Sequence, residues 1–148
     1  MTTRLIGHFN AQRVTAIVGG KPCKLKSKLE HRLALYLELL RSKGFIKDWA
    51  YEQTTFTFKD DTRGAGTWLI DFDIINPDGS FAYFEGKGQI KSSDRTKFRR
   101  LSRYRPDAQV TLVLSHWPTD GKQISRARAI EEMGYRVVTA TDLFRGIV

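Results

Sequence analysis

The stretch that most restricts this chain runs from Trp68 to Lys87, two strand-like segments around one tight turn. Trp68-Leu69-Ile70-Asp71-Phe72-Asp73-Ile74-Ile75 is followed by Asn76-Pro77-Asp78-Gly79, then by Phe81-Ala82-Tyr83-Phe84-Glu85-Gly86-Lys87. Residues two apart on a strand share a face, so Glu85 and Lys87 lie side by side. Pro77-Asp78-Gly79 suits a three-residue loop, with Pro at the first central position of a type I turn and Gly left-handed in a bulge. That loop pairs Asn76 with Ser80, Asp73 with Tyr83 and Asp71 with Glu85. A two-residue turn is the alternative, and it sets Asp71 against Phe84. In the first register Asp71, Glu85 and Lys87 cluster: two carboxylates and an ammonium, groups suited to holding Mg²⁺ and a water beside a phosphate.

The chemistry behind that grouping is simple. Mg²⁺ takes oxygen ligands and keeps several waters, so one or two carboxylates plus a substrate phosphate suffice. Lys87 can orient or deprotonate an attacking water, or neutralise charge growing on the phosphate. Two ions about 4 Å apart would stabilise both the attacking and the leaving oxygen. The same pattern also describes a cross-strand ion pair on a solvated sheet face. The apolar flanks of Asp71 and Glu85 weigh against that, because buried unpaired carboxylates are costly. Asp73 shares the face of Asp71 and is the alternative ligand. Gln89 continues the face of Glu85 and Lys87 as a candidate contact to a water or a phosphate.

The rest of the chain frames this hairpin. Its 148 residues suit a single domain, 1–148, with an N-terminal strand and arm segment at 1–26 and a core at 27–140. Residues 1–11 carry little pattern. Gln12–Val18 reads as a strand, turned by Gly19-Gly20-Lys21-Pro22, with a short return over Cys23–Lys26. Ser27 opens a helix to about Lys43, with a Leu29, Leu33, Leu37 and Leu40 stripe and a Gly44 cap. Ser27-Lys28-Leu29-Glu30 is a capping box that accounts for Glu30; Glu30 also borders the Leu stripe, where it can reach toward the hairpin acids. Tyr51–Lys59 reads as a strand with Phe56 and Phe58 on one face. A basic helix spans about Asp94–Tyr104, capped by Ser93 or Asp94. Val110–Leu114 is a buried strand, Asp120 or Thr119 caps a helix to about Met133, and Tyr135–Thr139 is the last strand. The class is α/β: a mixed sheet with helices on both sides.

Charge is the strongest compositional signal. Lys and Arg number 25 against 16 Asp and Glu, for a net +9. Such a balance serves solubility, and in a small domain it also suits a polyanionic partner. Arg95, Arg99 and Arg103 repeat every four residues on the basic helix, with Lys91, Lys97 and Arg100 nearby, and phosphate contacts explain a like-charged stripe. No run is long enough to span a bilayer, and no leader pattern is present, so no membrane is expected and the expected compartment is the cytoplasm. The single Cys23 excludes an internal disulfide and a multi-Cys zinc site and reads as a small core residue. His8, His31 and His116 lack metal-ligand spacing.

Asp71-Phe72 and Glu85-Gly86-Lys87-Gly88, behind a helix opened by Ser27-Lys28-Leu29-Glu30, resemble the PD-(D/E)XK nuclease superfamily, most nearly phage endonuclease I (a Holliday-junction resolving enzyme) and related small phage endonucleases. The likeness extends through Ser93-Asp94-Arg95, Lys97 and Pro106-Asp107 to Val113-Leu114-Ser115, covering about residues 25–116. The resemblance implies a restriction-endonuclease-like core and a metal-dependent endodeoxyribonuclease. It places Glu30, Asp71 and Glu85 at Mg²⁺, with Mn²⁺ able to substitute, and Lys87 among the catalytic residues. The implied substrate is branched DNA in recombination, and two cuts per junction imply a homodimer. Two positions depart from the family pattern: Ile70 stands where a Pro precedes the Asp, and Gly86 replaces a bulkier residue.

Overall fold

The loop at Pro77-Asp78-Gly79 sets the register of the central sheet. Asn76 and Ser80 close it through Asn76 N–H to Ser80 O at 2.8 Å, and Gly79 takes a φ of 86°. The strands it joins, β7 (Phe72–Ile75) and β8 (Phe81–Lys87), pair Asp73 with Tyr83 and Phe72 with Phe84. This is the three-residue-loop register. The computed structural model describes residues 3–6, 14–58 and 66–147.

Before β7 come β1 (Thr3–Ile6), β2 (Val14–Val18), β3 (Lys21–Leu25), α1 (Lys28–Ser42), β4 (Asp48–Tyr51), β5 (Thr55–Thr57) and β6 (Thr67–Leu69); after β8 come α2 (Ser92–Tyr104), β9 (Val110–Leu114), α3 (Gly121–Glu132), β10 (Arg136–Thr139), α4 (Ala140–Phe144) and a 3₁₀ turn over Arg145–Ile147. The central sheet is five-stranded and mixed, in the order β10-β9-β8-β7-β4. β4, β7 and β8 are antiparallel neighbours; β8, β9 and β10 run parallel through helical crossovers.

Alternation along β8 divides the two faces. Ala82 and Phe84 join the core built on Leu29, Leu33 and Leu37 of α1, with Trp49, Phe72, Ile74 and Leu143. Tyr83 turns to the other face, a core of Phe98 and Leu101 from α2, Ala127 and Ile130 from α3, and Phe56, Trp68 and Leu112. The protein is therefore mixed α/β, a five-stranded sheet with helices on both faces. A three-stranded antiparallel sheet, β1-β2-β3, adds Ala16, Val18, Cys23 and Leu25 to the α1 side. Among the described residues no helix is long and apolar enough to cross a membrane.

Three expectations from the sequence are corrected. Thr3–Ile6, within a segment of little pattern, is a strand because it pairs with Thr15–Val18. Tyr51–Lys59 is two strands, and Lys59 lies outside the described residues. The run Trp68–Ile75 also breaks in two. β6 pairs with β5 as a separate ribbon, and β7 pairs with β4 and β8. The break falls at Ile70 and Asp71, whose backbone bonds go elsewhere: Ile70 N–H to Thr54 O, and Glu52 N–H to Asp71 O. Glu52 sits there at a φ of 48°, a conformation seldom adopted by a residue with a side chain.

Candidate active site

Asp71 leaves the sheet at the point where β7 and β8 would next pair, and side-chain bonds replace the missing ladder. Its N–H donates to Glu85 Oε1 at 3.1 Å, and its Oδ2 accepts from Gly86 N–H at 2.9 Å. The two carboxylates are thus adjacent, and both residues are buried, at 1% and 3% exposure. Lys87 follows on the face of Glu85, with Nζ 3.5 Å from Glu85 Oε2. The cluster of Asp71, Glu85 and Lys87 read from the hairpin register is therefore present in space.

Glu30 reaches Asp71 from α1. Ser27 caps α1, its Oγ accepting from Glu30 N–H at 3.2 Å, but the reciprocal half of the capping box does not form with Ser27. The Glu30 carboxylate instead takes the N–H of Lys26 at 3.4 Å and lies 2.6 Å from the hydroxyl of Tyr51. Gly86 permits this approach. A Cβ there would stand 3.2 Å from Leu33 Cδ1 and 3.3 Å from Leu29 Cδ2, so even a methyl group would require those leucine side chains to give by a few tenths of an ångström.

Among the described residues, two cations serve these acids. Lys26 Nζ lies 3.2 Å from Asp71 Oδ1 and 3.9 Å from Glu30 Oε2. Lys87 Nζ bridges Glu85 to Asp94 Oδ1 at 3.4 Å. Asp94 is buried, and its other oxygen caps α2 by accepting Lys91 N–H at 2.7 Å. Lys26, Tyr51 and Asp94 were not legible as site residues. Ser93 or Asp94 read as the cap of α2, whereas Lys91 is the N-cap and Asp94 the third helical residue; Lys26 read as the end of a short strand, and nothing local ties Tyr51 to Glu30.

Among the described residues, four buried carboxylates face two ammonium groups, and burial and mutual repulsion show in the titration of two of them. Burial, then the Asp71 charge, pushes Glu30 up to about 7 against the pull of Tyr51 and Lys26. Burial and Asp71 likewise push Glu85 up to about 8, with Lys87 opposing. Burial disfavours the charge on Lys26 and Lys87, but the surrounding carboxylates outweigh it and hold both above the ordinary lysine value. Each acid has one oxygen tethered by a backbone N–H or a hydroxyl, and another facing a flexible ammonium. Asp71 and Glu85 form a donor pair suited to a hard divalent cation. Among the described residues, no three acidic, imidazole or thiol groups converge on one point. Glu85 projects on the α2 face, and the Lys26 ammonium intervenes between Glu30 and Asp71.

The remaining candidates separate clearly. Asp73 is buried apart from these lysines, bound to the Thr54 hydroxyl at 2.5 Å and raised by burial. Asp71 is the acid set beside Glu85. Gln89 is exposed, past the end of β8. On α2, Arg99 and Arg103 are exposed, Arg95 and Lys97 are partly buried, and Lys91 is exposed ahead of the first turn. Arg100 is a correction. It is only 8% exposed and already partnered, because it falls on the inward side of the helix with Phe98 and Leu101. No protein-family model matches this chain, and no curated protein matches it.

Proposed function

We propose that this protein is a Mg²⁺-dependent, structure-selective DNA endonuclease with a restriction-endonuclease-like core, acting as a homodimer on branched DNA such as a Holliday junction, in the cytoplasm. One observation carries the reading: Asp71 and Glu85 are buried side by side and tethered to each other, in a site whose carboxylates outnumber its cations among the described residues. A divalent cation held by Asp71 and Glu85, with Mn²⁺ as a substitute, supplies charge neutralisation and polarisation of a phosphoryl group. Lys87, held protonated by Glu85 and Asp94, acts there as a positive charge facing the phosphate rather than as a base. Exposed Arg99 and Arg103, with Lys91 and Lys97, supply backbone contacts that position DNA without reading its sequence.

The test compares a synthetic four-way junction, a linear duplex and a single strand, each with Mg²⁺, Mn²⁺ or a chelator. Cleavage of the junction that needs the metal, lost in Glu85→Gln and Lys87→Ala while binding persists, supports the reading. Equal cleavage of all three substrates removes junction selectivity. A second reading has its own support: the Lys26 ammonium stands between Glu30 and Asp71, as it would in a basic DNA-binding or phage regulatory protein that does not cut. Tight binding with no cleavage in either metal selects that reading. A nicking, repair or transposase-type nuclease on the same fold would cut nicked or linear duplex in preference to the junction.

A further inference from the structure

Beside α2 lies a groove that the charge pattern of the sequence does not single out. α3 packs against α2, burying Ala127 and Ile130 in the same core as Phe98 and Leu101. Between the two helices runs an open groove of about 490 Å³, lined by Arg95 near the start of α2 and by Gly121, Ser125, Arg128, Ala129 and Glu132 along α3. Gly121, Ser125 and Ala129 recur every four residues, so they form a row of small residues on one helix face, against which another chain can lie closely. Arg95 and Arg128 add two guanidinium groups against the one carboxylate of Glu132. The Nε of Arg95 is buried and has no hydrogen-bond partner among the described residues, which is costly unless a ligand supplies the acceptor. Among the described residues no aromatic side chain lines the groove, so it offers nothing for a base to stack on. Guanidinium groups over a floor of small residues suit phosphate, which they bind through paired hydrogen bonds. The start of α3 is not the attraction, because Asp120 already caps it by accepting Lys122 N–H at 2.8 Å. The groove is fixed relative to the candidate active site. Gln123 exchanges two hydrogen bonds with the backbone of Ile90, at 2.7 and 2.8 Å, and Arg126 Nη1 donates to Ile90 O at 2.7 Å. Ile90 lies in the link from β8, which ends at Lys87, to α2, and Arg95 directly follows the Asp94 that holds Lys87.

We propose that this groove is a track for the DNA sugar–phosphate backbone, in which Arg95 and Arg128 hold phosphates other than the one presented to Lys87. The track rests on the DNA binding of the proposed function and is independent of cutting. The probe is a labelled four-way junction, titrated in a chelator at several salt concentrations. Arg128→Ala weakens binding about 10-fold and lowers the slope of log affinity against log salt by about 1, as loss of one phosphate contact does. Arg95→Ala does the same. Lys43→Ala removes an equal charge from the exposed end of α1, on the other side of the sheet, and leaves affinity and slope near those of wild type. Arg128 is exposed, so its variant melts with wild type. Unchanged affinity and slope in Arg128→Ala, or an equal loss in Lys43→Ala, overturns the track. A loss confined to vesicles of anionic lipid, with junction binding intact, overturns it in favour of a membrane surface. Junction cleavage in Mg²⁺ is measured in parallel. Loss of binding in Arg128→Ala from a wild type that never cuts sinks the nuclease reading alone. Cleavage by wild type, with Arg128→Ala binding equally well, sinks the track alone, and a wild type that binds no DNA sinks both.

Discussion

Replacing Lys26 by Met removes a cation from a site already short of them and keeps most of its aliphatic bulk. Two unit charges at the 3.2 Å of Lys26 Nζ and Asp71 Oδ1 attract by about 5 kcal/mol at an effective dielectric of about 20. The Lys26 side chain is 44% exposed, so water screens much of this, and the net loss is about 1–2 kcal/mol. For a chain of 148 residues that corresponds to a Tm lower by about 3–6 °C. The deficit is largest in a chelator at alkaline pH, where no proton replaces the ammonium, and shrinks near pH 6, where protons on Glu30 and Glu85 do. Magnesium reverses it. Binding at a hundred times Kd adds about 2.7 kcal/mol, and the variant gains more than wild type because Mg²⁺ no longer competes with Lys26. The assay is thermal melting of both proteins at two pH values, with and without Mg²⁺. Equal melting in the chelator, together with equal Mg²⁺ shifts, would refute the account of Lys26 as the cation that balances Asp71 and Glu30.

Other consequences are as direct. Glu30 and Glu85, raised to about 7 and about 8, keep protons in the folded chain that the unfolded chain has released. Stability in a chelator therefore falls as pH rises through that range. Melting from about pH 7.5 to about pH 9 tests this above the titration of His31 in the unfolded chain, its folded value being lowered by burial, and a flat profile contradicts it. Asp94→Asn keeps an acceptor for Lys91 N–H but loses the charge that holds Lys87, so junction cleavage drops about 10- to 100-fold with little change in helicity by circular dichroism. Glu38 is held down to about 2, chiefly by hydrogen bonds from Arg41, with Trp49 contributing. Its contribution is present above the ordinary carboxylate value and is lost as pH falls toward 2. Glu38→Gln therefore costs about 1–2 kcal/mol at neutral pH after screening at exposed Arg41, and wild type and variant converge in acid denaturation curves.

The sequence made legible what depends on neighbours along the chain. The Asn76–Ser80 register followed from the chemistry of one turn, and with it the adjacency of Asp71 and Glu85. The Leu stripe of α1, the buried run Val110–Leu114 and the left-handed Gly44 are local patterns too, and the structure keeps them. What was hidden is set by contacts distant in sequence. Trp68–Ile75 reads as one strand because its composition is uniform, yet Thr54 and Glu52 take the bonds at Ile70 and Asp71 and divide it. Lys26 and Asp94 join the site only because α1 and α2 begin beside the same strand ends, and no periodicity records that. Arg100 belongs to a basic helix in composition but to its inner side in geometry.

The buried acids also explain what the fold gives up to hold them. Apolar walls make an unmatched carboxylate costly and, under the proposed function, would make an arriving dication correspondingly favourable, so the burial that weakens the fold would also prepare the site. Glu85→Gln separates the two effects. The amide keeps the size of the side chain and an oxygen for Asp71 N–H, while removing one of the excess charges. Glu85 is ionised in the unfolded chain at pH 8 but resists ionisation in the fold, so the variant melts above wild type in a chelator at that pH. It also loses most of the stabilisation by Mg²⁺, and the order of the two proteins reverses as Mg²⁺ is raised. If Glu85 were instead only the partner of Lys87 in an ordinary structural ion pair, the substitution would lower the melting temperature under every condition and Mg²⁺ would move both proteins alike. Crossing melting curves against parallel ones decide between a site kept under strain for a cation and a salt bridge kept for the fold.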